Sequence, residues 1–139
     1  MTVLAAIDGD RDEDPVVSTG YDLASAYDDR LVVLHVMSNE EFADRQDSTQ
    51  EYFLENAEET ARNVARRITR GTLGGVGDIQ FRGAVGPVAE TIIEFATEVD
   101  ARYLVIGGRD RSPVGKALFG SKTQTLLSDA QRPVVCVQT

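Results

Sequence analysis

Apolar positions along this chain form two kinds of pattern. Thr2 to Ile7, Leu31 to Val36, Tyr103 to Ile106 and Val134 to Gln138 are short, nearly unbroken apolar runs. Such runs, bounded by turn residues, predict strands buried on both faces. Between them apolar residues recur at helical spacing. Val16, Gly20, Leu23, Ala24 and Tyr27 follow Pro15, which suits a first helical turn. Phe53, Ala57, Ala61, Val64 and Ile68 lie on one face of a long helix, which Gly71 to Gly77 breaks. Val88, Ile92, Ala96 and Val99 mark a helix opened by Gly86-Pro87, and Leu126 and Leu127 belong to a short one before the last strand. Ser48 and Glu51 have the spacing of a capping box and are expected to open the long helix. Ser38 to Gln50, polar and acidic, reads as a surface loop. Asp78 to Arg82, with Ile79 and Phe81 alternating, is a weaker strand expected at a sheet edge.

Strands alternating with helices predict an α/β fold. We expect an open, doubly wound parallel sheet of five strands in the order 3-2-1-4-5, with helices on both faces. The 139 residues are read as one domain, 1–139, without internal repeat or boundary. In such sheets ligands bind beyond the carboxyl ends of the strands, where the strand order reverses. Three distant segments are expected to converge there: Asp8-Gly9, His35 to Met37, and the loop that begins at Gly107.

Charge sharpens that expectation. The chain carries 23 acidic residues and a net charge of -9. Yet Gly107 to Thr123, GGRDRSPVGKALFGSKT, holds Arg109, Arg111, Lys116 and Lys122 against one acid, Asp110. A strand that runs into a glycine-rich loop and then a helix start offers backbone N–H groups and a partial positive charge to an anion. A basic island in an acidic chain points to phosphate.

Composition also excludes. Nucleic-acid binding draws its affinity from Lys and Arg, and this chain is acidic, with lysine only at 116 and 122. Scarce lysine with strong acidity suits a high-salt cytoplasm, where surface repulsion is screened. No run approaches the length of a membrane span, and no basic-then-apolar leader precedes Val3, so a soluble cytoplasmic protein is expected. One histidine and one cysteine do not make an ordinary zinc site. Cys136, within Val134 to Val137, is expected to be a buried, inert thiol.

Several phosphate motifs fail. Gly115-Lys116 is followed by Ala117, and Gly120-Ser121-Lys122-Thr123 has one residue too many for a P-loop. No GxGxxG follows the first strand. A receiver domain would need a phospho-acceptor after the third strand, where Arg82-Gly83 stands. The serine- and glycine-rich turn of PP-loop adenylating enzymes is missing from Asp8-Gly9-Asp10-Arg11.

Gly107-x-x-Asp110, nine residues, then Gly120-Ser121 resembles the signature of the universal stress protein family, Gly-x-x-Gly, nine residues, Gly-Ser/Thr. The resemblance runs through nearly the whole chain: the opening Val3-Leu4 to Asp8-Gly9 turn, Val33-Leu34-His35-Val36, Gly86-Pro87, Val105-Ile106-Gly107-Gly108 and Arg132-Pro133-Val134-Val135. It implies an ATP or other adenine-nucleotide site. Asp8 would lie near adenine or ribose, the Val36 backbone would bond adenine, and Ala6 is counted among the nucleotide-binding residues. Gly107, Gly108, Arg109 and Asp110 would line ribose and phosphates, and Gly120, Ser121, Lys122 and Thr123 would hold the phosphates. Asp110 replaces a signature glycine. It tolerates a left-handed backbone, but its carboxylate would repel a triphosphate unless Mg2+ or Mn2+ bridges them.

Plainer roles stand beside these. Ser121 with Gln124 fits a capping box, a role compatible with phosphate binding. Asp8 could cap the turn into the first helix. Lys122 and Arg111 could be solvated charges. His35 is expected to pack at a strand end, since no nucleophile or base is arranged around it. The expected function is a non-catalytic, adenine-nucleotide-binding stress-response regulator. The alternatives are a nucleotide-free interaction protein of the same fold and, further off, an enzyme acting on phosphorylated substrates. Val134, Val135, Cys136 and Val137, on an uncharged edge strand, are expected to form a homodimer, as the resemblance also implies.

Overall fold

The computed structural model describes residues 1–108 and 120–138. Ten elements follow in order: β1 (Thr2–Ile7), α1 (Pro15–Tyr27), β2 (Arg30–Met37), α2 (Asn39–Ser48), α3 (Leu54–Leu73), β3 (Gln80–Val85), α4 (Val88–Glu98), β4 (Ala101–Gly107), α5 (Ser121–Asp129) and β5 (Val134–Val137). The strands form one parallel sheet in the order β3-β2-β1-β4-β5. The expected α/β topology is therefore present, and β3 lies on an edge.

Alternation along each strand divides the core between two faces. Leu4, Ala6, Leu34, Val36 and Ile106 pack with Ala89, Ile92 and Ala96 of α4 and Leu126 of α5. Val3, Ala5, Ile7, Val33 and Val105 pack with Val16 and Val17 of α1 and Ala65 and Ile68 of α3. Both faces of β1 are thus covered, which is why its residues from Val3 to Ile7 are uniformly apolar and buried.

Small residues set the closest approaches. A side-chain carbon on Gly83 of β3 would collide with the Glu58 carbonyl and the Arg62 amide of α3. This glycine lets the helix backbone rest directly on the edge strand.

Three local expectations change. The segment expected as a loop contains α2, started by Ser38, whose hydroxyl accepts the Glu41 amide at 3.1 Å. Ser48 ends that helix, its hydroxyl donating to the Asp44 carbonyl at 3.0 Å, so it does not open α3. Instead α3 begins after Phe53, whose amide donates to Asn56 Oδ1 at 2.9 Å. Finally, β3 runs from Gln80 to Val85 rather than from Asp78 to Arg82, because Val76 and Ile79 close a turn before it. Among the described residues no helix is long and apolar enough to cross a membrane.

Candidate functional site

The chain from β1 through β2 to β3 winds to one side of β1, then crosses back through α4 to β4 on the other. The strand order therefore reverses between β1 and β4, and a crevice opens beyond their carboxyl ends. A cleft of about 350 Å³ lies there, lined by Asp8, Asp10, Gly107, Gly120, Ser121, Lys122 and Thr123. That volume falls within the range of small-molecule sites, about 300–1,000 Å³.

Each wall has a local cause. Asp8 and Asp10 flank Gly9, whose φ of 91° is open to glycine and strained for other residues. Asp8 does not cap α1. Asp14 does, its Oδ1 accepting the Val16 amide at 2.9 Å. On the opposite side Gly120 is the N-cap of α5 and supplies no side-chain cap, so Ser121 is the first helical residue and the Ser121–Gln124 box does not form. An N-terminus without a side-chain cap offers its first amides to an outside acceptor. Thr123, buried, donates its hydroxyl to the Gly107 carbonyl at 3.3 Å and ties the start of α5 to the end of β4.

Of the residues expected at a site, Asp8, Gly107, Gly120, Ser121, Lys122 and Thr123 share this cleft. Ala6 and Val36 lie beneath it with buried side chains in the α4 and α5 face of the core. The Val36 side chain is therefore closed to a ligand, and β2 runs two residues past its last pairing with β1, where Val36 pairs with Ala84 of β3. Gly108 is buried, and its amide donates to the Val137 carbonyl at 2.9 Å, which engages it in the sheet. Arg109 and Asp110, with Arg111 and Lys116, lie outside the described residues.

Sequence reasoning left out Asp10, which it placed in an acidic loop. Its position two residues after Asp8, across a turn glycine, was the available signal. Two acids lining the cleft with Lys122 make the described walls more acidic than the basic island alone suggested. Mg2+ is commonly held by one or two carboxylates together with phosphate oxygens and water, so Asp8 and Asp10 suit an ion that arrives with its phosphate. Among the described residues no group of three or more His, Cys, Asp or Glu could hold a metal ion alone. Cys136 is half-buried rather than buried, and desolvation pushes its thiol above the ordinary range.

A model of the universal stress protein family matches residues 1–138. The chain belongs to that family. A universal stress protein of Mycolicibacterium smegmatis is 43% identical over 60 residues, covering 42% of this chain and 46% of the relative. The match thus spans less than half of that relative's length. The stress response protein NhaX of Bacillus subtilis is 38% identical over 53 residues, 38% of this chain and 32% of its own. Among solved structures, a universal stress protein from Archaeoglobus fulgidus superposes with a TM-score of 0.65 at 26% identity, covering 98% of this chain and 97% of the other. A universal stress protein in complex with cAMP gives 0.67 at 23% identity over 100% and 97%. One from Archaeoglobus fulgidus in complex with dAMP gives 0.60 at 22% over 98% and 96%. At such identities the last two speak to the fold alone.

Proposed function

We propose that this universal stress protein binds an adenine nucleotide, with ATP the expected ligand, and acts as a non-catalytic stress-response regulator in the cytoplasm. The observation that carries this reading is the cleft at the β1–β4 reversal, where the N-terminus of α5 presents Ser121, Lys122 and Thr123 opposite Asp8 and Asp10. The helix start supplies amides and a cation for phosphate. The two carboxylates suit a Mg2+ or Mn2+ ion carried by the phosphates, or ribose hydroxyls that donate to them. Two structures of the same fold hold cAMP and dAMP, which makes adenine the base to test first.

The non-catalytic part of the proposal rests on how the chain's one histidine is engaged. His35 donates Nδ1–H to the Ile7 carbonyl at 3.1 Å, and its ring faces Gly9. Among the described residues it is thereby tied to the first strand and its turn rather than to a nucleophile.

Calorimetric titration with ATP, with and without Mg2+ or Mn2+, at low and high salt, tests the reading. Saturable binding in the micromolar range is expected. No binding at millimolar ATP under any of these conditions refutes it and leaves the second reading, a nucleotide-free interaction protein. That alternative draws on β5, whose four apolar residues sit half-exposed at the sheet edge. We propose that β5 pairs with its copy across a twofold axis in either case.

A further inference from the structure

Ile7 and His35 face each other in the last pair that β1 makes with β2. Beyond it the first strand turns through Asp8, Gly9 and Asp10, and the two acids enter the cleft. His35 is 8% exposed, and its Nδ1 lies 3.1 Å from the Ile7 carbonyl oxygen. A carbonyl only accepts, so Nδ1 carries the proton. The same ring occupies the space beside Gly9. A Cβ there would sit 2.5 Å from His35 Cε1 and 2.8 Å from Nε2. Gly9 has its positive φ in the same place. One ring therefore holds the residue before Asp8 by a hydrogen bond and the residue after it by contact.

We infer that His35 is a positioning residue for the ligand cleft: it fixes the Asp8-Gly9-Asp10 turn so that both carboxylates face the start of α5. The inference rests on the nucleotide reading for its binding consequence, but its structural half stands apart. This short turn sets between two acids a glycine, the residue with the most conformational freedom to lose. Loss of the ring would open other arrangements to the glycine, and only some of them keep both acids in the cleft with Lys122. The brace comes from β2, a central strand covered on both faces. This couples the cleft wall to an interior strand packed on both faces.

Three variants separate the ring's two contacts. His35→Phe keeps the ring beside Gly9 and removes the donor to Ile7. His35→Asn keeps a donor near the Nδ1 position and removes the ring's outer edge. Asp8→Asn removes one of the positioned charges. Amide hydrogen exchange is read first, without ligand. His35→Phe is expected to speed exchange at Gly9 and Asp10 while leaving β4 and β5 unchanged, and His35→Asn is expected to restore much of the protection. ATP affinity with Mg2+ is read second. His35→Phe is expected to weaken it about tenfold, the scale of one lost interaction, and to weaken it much less on the Asp8→Asn background.

Unchanged exchange at the turn in His35→Phe overturns the inference whether or not nucleotide binds. So does an affinity loss of equal size on both backgrounds, or a His35→Asn variant no better than His35→Phe. If His35→Phe does not fold, His35→Asn against wild type decides: turn protection as low as in Gly9→Ala refutes the hydrogen-bond brace, and near-wild-type protection supports it. Wild-type protein that binds no nucleotide while showing the expected exchange pattern refutes the functional reading and leaves the brace standing.

Discussion

Arg102 grips Asp29 with two nitrogens, Nε 2.6 Å from Oδ2 and Nη2 3.3 Å from Oδ1, and so ties the start of β4 to the turn between α1 and β2. The guanidinium also lies over the Tyr27 ring, 4.6 Å from its centroid. Tyr27 in turn meets Tyr103 through their hydroxyls at 3.1 Å. The Asp29 side chain is almost covered, at 2% exposure. The Arg102 hydrogen bond outweighs desolvation and holds the Asp29 carboxyl below its usual value of 3.8.

A pH dependence follows from that lowered value. Stability from a depressed carboxyl is fully present above its unfolded value and disappears as pH falls through the folded one. Wild type and Asp29→Asn should therefore differ in urea midpoint at pH 6, with wild type the more stable. The gap should narrow only below about pH 4, near the unfolded aspartate value. A gap that stays constant down to pH 2 would show that the pair's contribution is not electrostatic.

Gly83→Ala should be one of the most costly single-methyl changes in the chain. Its Cβ would enter the backbone of α3 at Glu58 and Arg62, where no side chain can rotate away. Overpacking of this kind costs about 1–3 kcal/mol. Equilibrium urea denaturation would measure it, and a loss below about 0.5 kcal/mol, the scale of a neutral surface change, would contradict the contact. Gly74→Ala is the control for chain entropy, since nothing lies within 4 Å of its Cβ position, although its φ of 79° carries a strain of its own.

These two sites also mark where sequence pattern suffices and where it stops. The five strands and their order were legible because each buried strand is a continuous apolar run and the connections between them are helical. The cleft was legible because the motif residues sit at strand ends, and strand ends are where such a sheet leaves room. The acidic helix α2 was not, because it has no buried residue and hence no apolar period. Two Ser-x-x-Glu patterns lie in that region. The one at Ser38 caps a helix, while at Ser48 the chain is finishing one and Glu51 turns with φ 57°. Spacing alone does not distinguish a start from an end. Likewise β3 looked shorter than it is because Gly83 and Ala84 lack bulk, which the approach of α3 requires of Gly83. The brace between His35 and Gly9 depends on where a ring lies in space, and no spacing rule reports that.

Lys122 supplies the one cation among the described residues that line the cleft. If phosphate sits at the start of α5, Lys122→Ala should weaken ATP binding by about tenfold, near 1.4 kcal/mol. The effect should be greater at low salt, because the lost attraction is one between charges. ATP should raise the thermal midpoint of wild type more than that of the variant at equal concentration. Equal midpoint shifts in both proteins would place the phosphates elsewhere.

Asp110 stands where the family signature carries glycine. Like charges at partly screened range repel by about 1 kcal/mol, five- to tenfold in affinity. If the Asp110 carboxylate opposes the phosphates, as the family signature implies, Asp110→Gly should tighten ATP binding, most clearly in the absence of divalent ions. Weaker binding with Mg2+ present would instead assign the carboxylate to the ion and reverse this account.

Among the described residues β5 is the last strand of the sheet beyond β4. Within the same described residues Val134 to Val137 pair only with β4, and all four side chains are half-exposed. From Pro133 to Thr139 the sequence has no charge to discourage pairing with another edge. A bare apolar edge recruits a strand, and its own copy across a twofold axis is present at equal concentration. Wild type should thus sediment as a dimer at micromolar concentration. Val135→Lys should shift it towards monomer or aggregate, because pairing would place like charges against each other and desolvate them. Val135 also packs against the core on the α1 and α3 face, so circular dichroism of the variant must show a folded chain before its sedimentation is read. A wild-type protein that remains monomeric at high micromolar concentration would refute the dimer, and the half-exposed valines of β5 would then need another cover.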